Sequence, residues 1–230
     1  MKKIILFLQL IFSIGMSAQT TVESVQVADM DEGAPICGKS IDLHKRILQA
    51  YNCDSTLIVF ACDTTKKGKN TDTGYLYSLD ANTLEVQWQK SLKLSLSKLY
   101  GVCSKGVLLS STLKSTGKSL LTLSDTKTGR SLWTQYLYPV YFNDSLDIVI
   151  GLEKVGGSKT YAYRLSTGML LWDAEIPMTK NVGWKDACMV DSTHLVVVGD
   201  DINEINIHSG EIKKVKAVTG KIGRAHVWTP

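Results

Sequence analysis

The sequence predicts an all-β protein, a β-propeller of four-stranded antiparallel blades with about four blades present and the ring left unfinished. Two observations carry this. Three tryptophans, Trp88, Trp133 and Trp172, end similar phrases spaced 45 and 39 residues apart, and a degenerate fourth copy follows 42 residues later with Lys214 at the Trp position. Before each phrase lies an apolar, strand-like run, at 56–62, 106–111, 146–152 and 194–199. Short strands recurring at a period of 40-odd residues, about four per unit, describe propeller blades. A β-sandwich would share the short strands but not a phrase repeated at this period.

The chain begins Lys2-Lys3 and continues with an apolar run over 4–14, broken only by Gln9 and Ser13, followed by Gly15, Ser17 and Ala18. That order of charge, apolar core and small residues predicts a secretory signal peptide over 1–18, and the run is short for a membrane span. A secreted or periplasmic location is therefore expected. No later segment is apolar enough to cross a bilayer.

Residues 19–54 read as an N-terminal segment. Within it Gly33-Ala-Pro-Ile-Cys-Gly38-Lys39-Ser40 fits the phosphate-loop pattern, in which backbone amides and Lys39 would hold phosphates and Ser40 a magnesium ion. Residues 42–51 would supply the following helix, and 57–63 a strand ending on Asp63. The context opposes it. The residues before Gly33 form an acidic stretch, Lys39 and Asp63 are too close for the intervening elements, and an exported protein meets little nucleotide. The alternative is a solvated loop closing the N-terminal edge.

The blades occupy 55–221. The first phrase is Leu76-Tyr-Ser-Leu-Asp-Ala-Asn-Thr-Leu-Glu-Val-Gln-Trp88 and the second Leu121-Thr-Leu-Ser-Asp-Thr-Lys-Thr-Gly-Arg-Ser-Leu-Trp133. The third is Thr160-Tyr-Ala-Tyr-Arg-Leu-Ser-Thr-Gly-Met-Leu-Leu-Trp172, and the fourth Ile202-Asn-Glu-Ile-Asn-Ile-His-Ser-Gly-Glu-Ile-Lys-Lys214. Each reads as a hairpin: alternating strand residues, a polar turn, then a second strand. Gly129, Gly168 and Gly210 supply the positive φ that a short turn with a bulge needs. Leu84 replaces that glycine in the first copy, so its turn is either built differently or strained.

These phrases resemble the quinoprotein-like (PQQ-like) repeat, an aromatic-Ala-Leu-Asp followed by Thr-Gly and Trp. Asp80 and Asp125 match its Asp, Thr128-Gly129 and Thr167-Gly168 its turn, and Trp88, Trp133 and Trp172 its Trp. The resemblance runs from about Ser55 to Ala217 and implies that the three tryptophans pack between neighbouring blades. It also implies two branches of function. Quinone-cofactor dehydrogenases of this fold are longer, with eight blades, and many carry adjacent cysteines. The other branch, typified by the periplasmic propeller of the outer-membrane protein assembly machinery, has no cofactor and binds protein partners. This sequence has no Cys-Cys pair, and no catalytic, cofactor-binding or metal residue is assigned.

The expected function is thus an exported, non-enzymatic propeller acting as a scaffold for a protein or small ligand, without a cofactor. The alternatives are a fragment of a larger quinoprotein-type dehydrogenase or of a multidomain secreted enzyme, and, more remotely, a phosphate-loop nucleotide-binding protein. Cys37, Cys53, Cys62, Cys103 and Cys188 form no disulfide framework. His44, His194 and His208 lack metal-ligand spacing. Asp200-Asp201 reads as a polar turn, with calcium as its alternative. A net charge of +4 spread along the chain, with only Lys66-Lys67 and Lys213-Lys214 clustered, argues against a nucleic-acid stripe. The last nine residues, Ile222-Gly-Arg-Ala-His-Val-Trp-Thr-Pro230, resemble a translated sequencing adapter, with Trp228 departing from the usual read-through. On that reading 222–230 is foreign and the natural sequence is interrupted near Lys221.

Overall fold

A computed structural model of the chain describes residues 22–28, 36–176, 184, 186–199 and 201–217. The predicted signal peptide, Gly33, Asp200 and the adapter-like tail lie outside the described residues. The chain divides into two units, Met1–His44 and Lys45–Pro230. In the first, β1 (Val22–Ala28) pairs antiparallel with β2 (Ile36–Ile41).

The second unit consists, among the described residues, of four antiparallel sheets of four strands, each sheet formed by strands consecutive in sequence. Blade 1 contains β3 (Arg46–Cys53), β4 (Thr56–Thr64), β5 (Asn70–Asp80) and β6 (Val86–Lys93). Blade 2 contains β7 (Ser97–Cys103), β8 (Gly106–Thr112), β9 (Ser119–Ser124) and β10 (Ser131–Tyr136). Blade 3 contains β11 (Tyr138–Asn143), β12 (Ile148–Leu152), β13 (Lys159–Arg164) and β14 (Leu170–Glu175). Blade 4 contains β15 (Asp186–Met189), β16 (His194–Val198), β17 (Asp201–Asn206) and β18 (Ile212–Ala217).

Blade 1 starts at Arg46, inside the segment that the sequence assigns to a separate N-terminal region ending at 54. Residues 46–50 of β3 are exposed and include Arg46 and Gln49, so this strand lacks the apolar run that reveals its neighbours.

The core lies between blades. Strand β12 is buried along its whole length because alternate side chains serve opposite interfaces. Val149 packs with Leu108, Leu123 and Trp133 of blade 2, whereas Ile148 and Ile150 pack with Leu195, Val197 and Ile205 of blade 4. Between blades 1 and 2, Ile58, Phe60 and Leu76 meet Leu99 and Val107.

Each tryptophan latches its blade to the next. The indole Nε1–H donates to a backbone carbonyl in the third-to-fourth-strand turn of the following blade: Trp88 to Thr126 O at 2.7 Å, Trp133 to Leu165 O at 2.8 Å, and Trp172 to Ile207 O at 2.7 Å. The ring lies on the turn glycine. A Cβ on Gly129, Gly168 or Gly210 would stand 2.6–2.8 Å from Trp88, Trp133 or Trp172 respectively. A bulge aims the ring. Leu79 pairs with Val86 but Ser78 with Trp88, and the same extra residue recurs before Trp133 and Trp172.

Blade 4 departs from this pattern. Its register runs on unbroken, Ile205 with Ile212, Glu204 with Lys213 and Asn203 with Lys214, and shifts only between Ile202 and Asn203. Lys214 therefore comes to lie beside Asp201, with Nζ and Oδ2 at 2.6 Å. That ion pair gives Asp201, 5% exposed, a partner inside its own blade.

Candidate functional site

Antiparallel connectivity sorts the loops of blades 1–3 onto two ends. At one end lie the second-to-third-strand turns and the connections from one blade to the next. Backbone bonds join them: Leu94 N donates to Asp72 O at 2.9 Å, Thr112 N to Leu96 O at 2.7 Å, and Leu137 N to Ser119 O at 3.1 Å. At the other end lie the first-to-second and third-to-fourth turns, joined for example by Leu165 N to Asp147 O at 2.9 Å.

The two ends differ in charge. The β4–β5 turn carries Lys66, Lys67 and Lys69, the β8–β9 turn Lys114 and Lys118, and the β12–β13 turn Lys154 and Lys159, all exposed. Lys93 and Lys98 flank the β6–β7 connection. Among the described residues none of these lysines forms an ion pair. Lys98 and Lys118 instead stand over the rings of Tyr138 and Tyr136, at 5.8 and 5.5 Å. The Lys159 ammonium is held above its usual range by a hydrogen bond with Tyr161.

At the opposite end the carboxylates act as acceptors within turns. Asp80 accepts from the amides of Asn82 and Thr83 at 2.8 and 2.9 Å, and Asp125 from the amide and hydroxyl of Thr128, both at 2.7 Å. The Thr128 hydroxyl and amide hold the Asp125 carboxyl below the usual range. Asp144 accepts from Ser104 of the preceding blade at 2.6 Å, Asp147 from Ser166 at 2.7 Å, and Asp191 from the Thr193 amide at 2.7 Å.

Between blades 2 and 3, at the lysine-bearing end, opens a cleft of about 230 Å³. Leu94, Leu96, Tyr138 and Val155 form its apolar walls, and Ser95, Ser97, Ser110, Thr112 and Ser119 bring hydroxyls to it. Lys98 stands at its edge. The volume is below the ~300–1,000 Å³ of most small-molecule pockets and suits one or two side chains. Such a site offers cation–carboxylate attraction, hydroxyl hydrogen bonds and an apolar slot.

A second polar group lies on blade 4. His194 Nδ1 is 2.9 Å from Asp191 Oδ2, and its Nε2 is 3.8 Å from Glu204 Oε1. Glu211 and Lys213 complete that surface.

The residues singled out in the sequence fall mainly at blade junctions. Trp88, Trp133, Trp172, Gly129, Gly168 and Gly210 form the latches, Asp125 shapes the turn on which the Trp88 latch rests, and Asp80 shapes the matching turn of blade 1. Gly38, Lys39 and Ser40 lie within the extended strand β2, not at the start of a helix and not in the solvated loop expected as its alternative. The segment that would supply the helix contains β3. β2 pairs with β1 from Val22–Ile41 to Ala28–Ile36, an extended backbone pairing that a pattern search for phosphate loops does not see. The lysine-bearing end escaped the sequence reading. A signal was present: lysines at 66–69, 114–118 and 154–159 recur in step with the tryptophans.

The second unit has the four-stranded antiparallel blades of a β-propeller. No protein-family model matches the chain, and no curated protein matches it. Solved structures do. A europium-containing methanol dehydrogenase is 13% identical with a TM-score of 0.51, over 85% of this chain and 49% of that one. BamB from Moraxella catarrhalis is 14% identical with a TM-score of 0.47, over 78% and 51%. The quinohemoprotein alcohol dehydrogenase from Comamonas testosteroni is 12% identical with a TM-score of 0.46, over 72% and 34%. The likeness to methanol dehydrogenase is one of fold. The chain spans about half the length of the first two of these structures.

Among the described residues no group of three or more His, Cys, Asp or Glu side chains is placed to hold a metal ion. Burial raises the Cys53 and Cys103 thiols above their usual range, which favours the protonated, unreactive form.

Proposed function

We propose that this chain is an exported, non-enzymatic propeller whose lysine-bearing end acts as a binding scaffold for a protein or small ligand. The observation that supports it most is the cleft between blades 2 and 3: exposed cations, hydroxyls and an apolar slot, presented by turns that rigid blades hold in place. A site of this composition, cationic at its edge with an apolar slot, suits recognition of a partner. Export is supported by the charged, apolar and small-residue order of residues 1–18. The test is a dye-linked dehydrogenase assay of the purified chain titrated with PQQ and calcium. Turnover at background is expected; robust turnover overturns the scaffold reading and favours the dehydrogenase-fragment reading.

A further inference from the structure

The lysines of the β4–β5, β8–β9 and β12–β13 turns are distant in sequence but share one end of blades 1–3, while the carboxylates of the other end are occupied as turn acceptors. At this end the lysines outnumber the carboxylates even with Asp72 and the exposed Glu153 counted. At the other end Lys105, Lys127 and Arg130 stand among Asp80, Asp125, Asp144 and Asp147. The net positive charge of the lysine-bearing end therefore attracts a negative partner and orients its approach.

What lies between the lysines narrows the partner. A purely ionic surface would need no slot, yet the cleft is walled by Leu94, Leu96, Tyr138 and Val155, and Val155 is 68% exposed. Its volume of about 230 Å³ accepts an apolar side chain but not a folded surface. The hydroxyls of Ser97 and Thr112 offer donors and acceptors to a peptide backbone passing over the cleft, whereas that of Ser95 already donates to Asp72 at 3.0 Å. The tyrosines under Lys98 and Lys118 add ring faces with few rotatable bonds, which lose little entropy on contact.

We propose that this end docks an extended acidic segment of a partner protein, with an apolar side chain seated in the cleft between blades 2 and 3 and flanking carboxylates held by Lys98, Lys114 and Lys118. This rests on the scaffold reading and names the partner's chemistry.

The experiment uses the full purified chain and fluorescence anisotropy with a labelled twelve-residue peptide of glutamate and leucine. Polyglutamate and vesicles of phosphatidylglycerol serve as competing probes. The expected result is saturable peptide binding that weakens at least about tenfold in Lys114→Glu/Lys118→Glu and about fivefold in Tyr138→Ala, with melting temperatures confirming that the variants are folded. Lys105→Glu/Lys127→Glu, at the opposite end, leaves binding within about twofold. Raising the salt from about 50 to 300 mM weakens it several-fold.

Equal affinity for polyglutamate together with indifference to Tyr138→Ala overturns the seated side chain. Preference for vesicles over the peptide overturns the partner and makes the surface a membrane one. No saturable binding, or equal loss from reversals at either end, overturns the docking end altogether. Dehydrogenase turnover would sink the scaffold reading while leaving these affinities unchanged, so the two failures are told apart.

Discussion

At residue scale, the turn after Asp80 shows what a glycine is for. All four third-to-fourth-strand turns share one hydrogen-bond pattern, with the fifth amide bonded to the first carbonyl: Leu84 to Asp80 at 2.8 Å, Gly129 to Asp125 at 2.9 Å, Gly168 to Arg164 and Gly210 to Asn206, both at 2.8 Å. Leu84 holds a φ of 61° in the place where the others have glycine. Of the two options raised by the sequence, the turn is strained and not rebuilt. In blades 2 to 4 the residue must be glycine for a second reason, since an indole from the preceding blade covers it. Among the described residues no indole rests on Leu84, so a side chain fits there. Leu84→Gly should therefore stabilise the chain by about 1 kcal/mol in urea unfolding. Gly168→Ala should cost about 2–4 kcal/mol, because strain at φ 69° adds to displacement of Trp133.

The same scale sets the response to acid. Asp125 is held below the usual carboxylate range by Thr128, Asp63 by the Lys45 ammonium and then the Tyr75 hydroxyl, and Asp72 by the amide and hydroxyl of Ser95. A carboxyl depressed in the fold binds fewer protons there than in the unfolded chain. Its contribution is fully present above the unfolded value, about 3.9, and is lost as pH falls through the folded value. Thermal melts should be flat from pH 7 to about 5 and fall steeply below about 4. Asp125→Asn should blunt that fall, which a melt series at both pH values would read directly.

At the scale of elements, a strand is legible when both of its faces are buried. β12, and β8 over Val107 to Leu109, read as apolar runs because consecutive side chains serve two interfaces, and the tryptophan period reports how often such an interface recurs. β3 was hidden because its first five residues are exposed, and β2 because its small and polar residues imitate a phosphate loop. The lysine-bearing end was hidden for another reason. Its neighbours in space are 40 to 48 residues apart in sequence, so a scan for charge runs sees only Lys66-Lys67. The latch itself depends on an element, not a residue. Trp172→Ala should cost about 3–5 kcal/mol because a buried indole and its bond to Ile207 O are both lost. Trp88→Ala should cost less, since Trp88 is half-buried. Lys214→Trp should not restore a latch, because the bulge that aims the ring is displaced to Ile202/Asn203. It should instead destabilise by about 2 kcal/mol by stripping the buried Asp201 of its cation.

At the scale of the whole molecule, the four blades are not equivalent modules. Positions that blade 3 fills with Ile148 and Ala162, and buries against blade 4, are His194 and Glu204 in blade 4 itself, as the matching registers Ile148–Arg164 and His194–Asn206 show. Lys213 pairs opposite Glu204, and Asp191 holds His194. A repeat array exposes an apolar face wherever the stack is interrupted unless that face is made polar, and polar outer faces are how such arrays stay soluble. Blade 4 has the composition of such a face, whatever lies beyond it. The consequence is testable. His194→Ile/Glu204→Ala gives blade 4 the surface that blade 3 buries, so the variant should fold but self-associate with rising concentration, seen by sedimentation velocity as a shift toward dimers and larger species that the parent lacks. If the variant sediments as the parent does at every concentration, the polar residues of blade 4 do not limit its self-association.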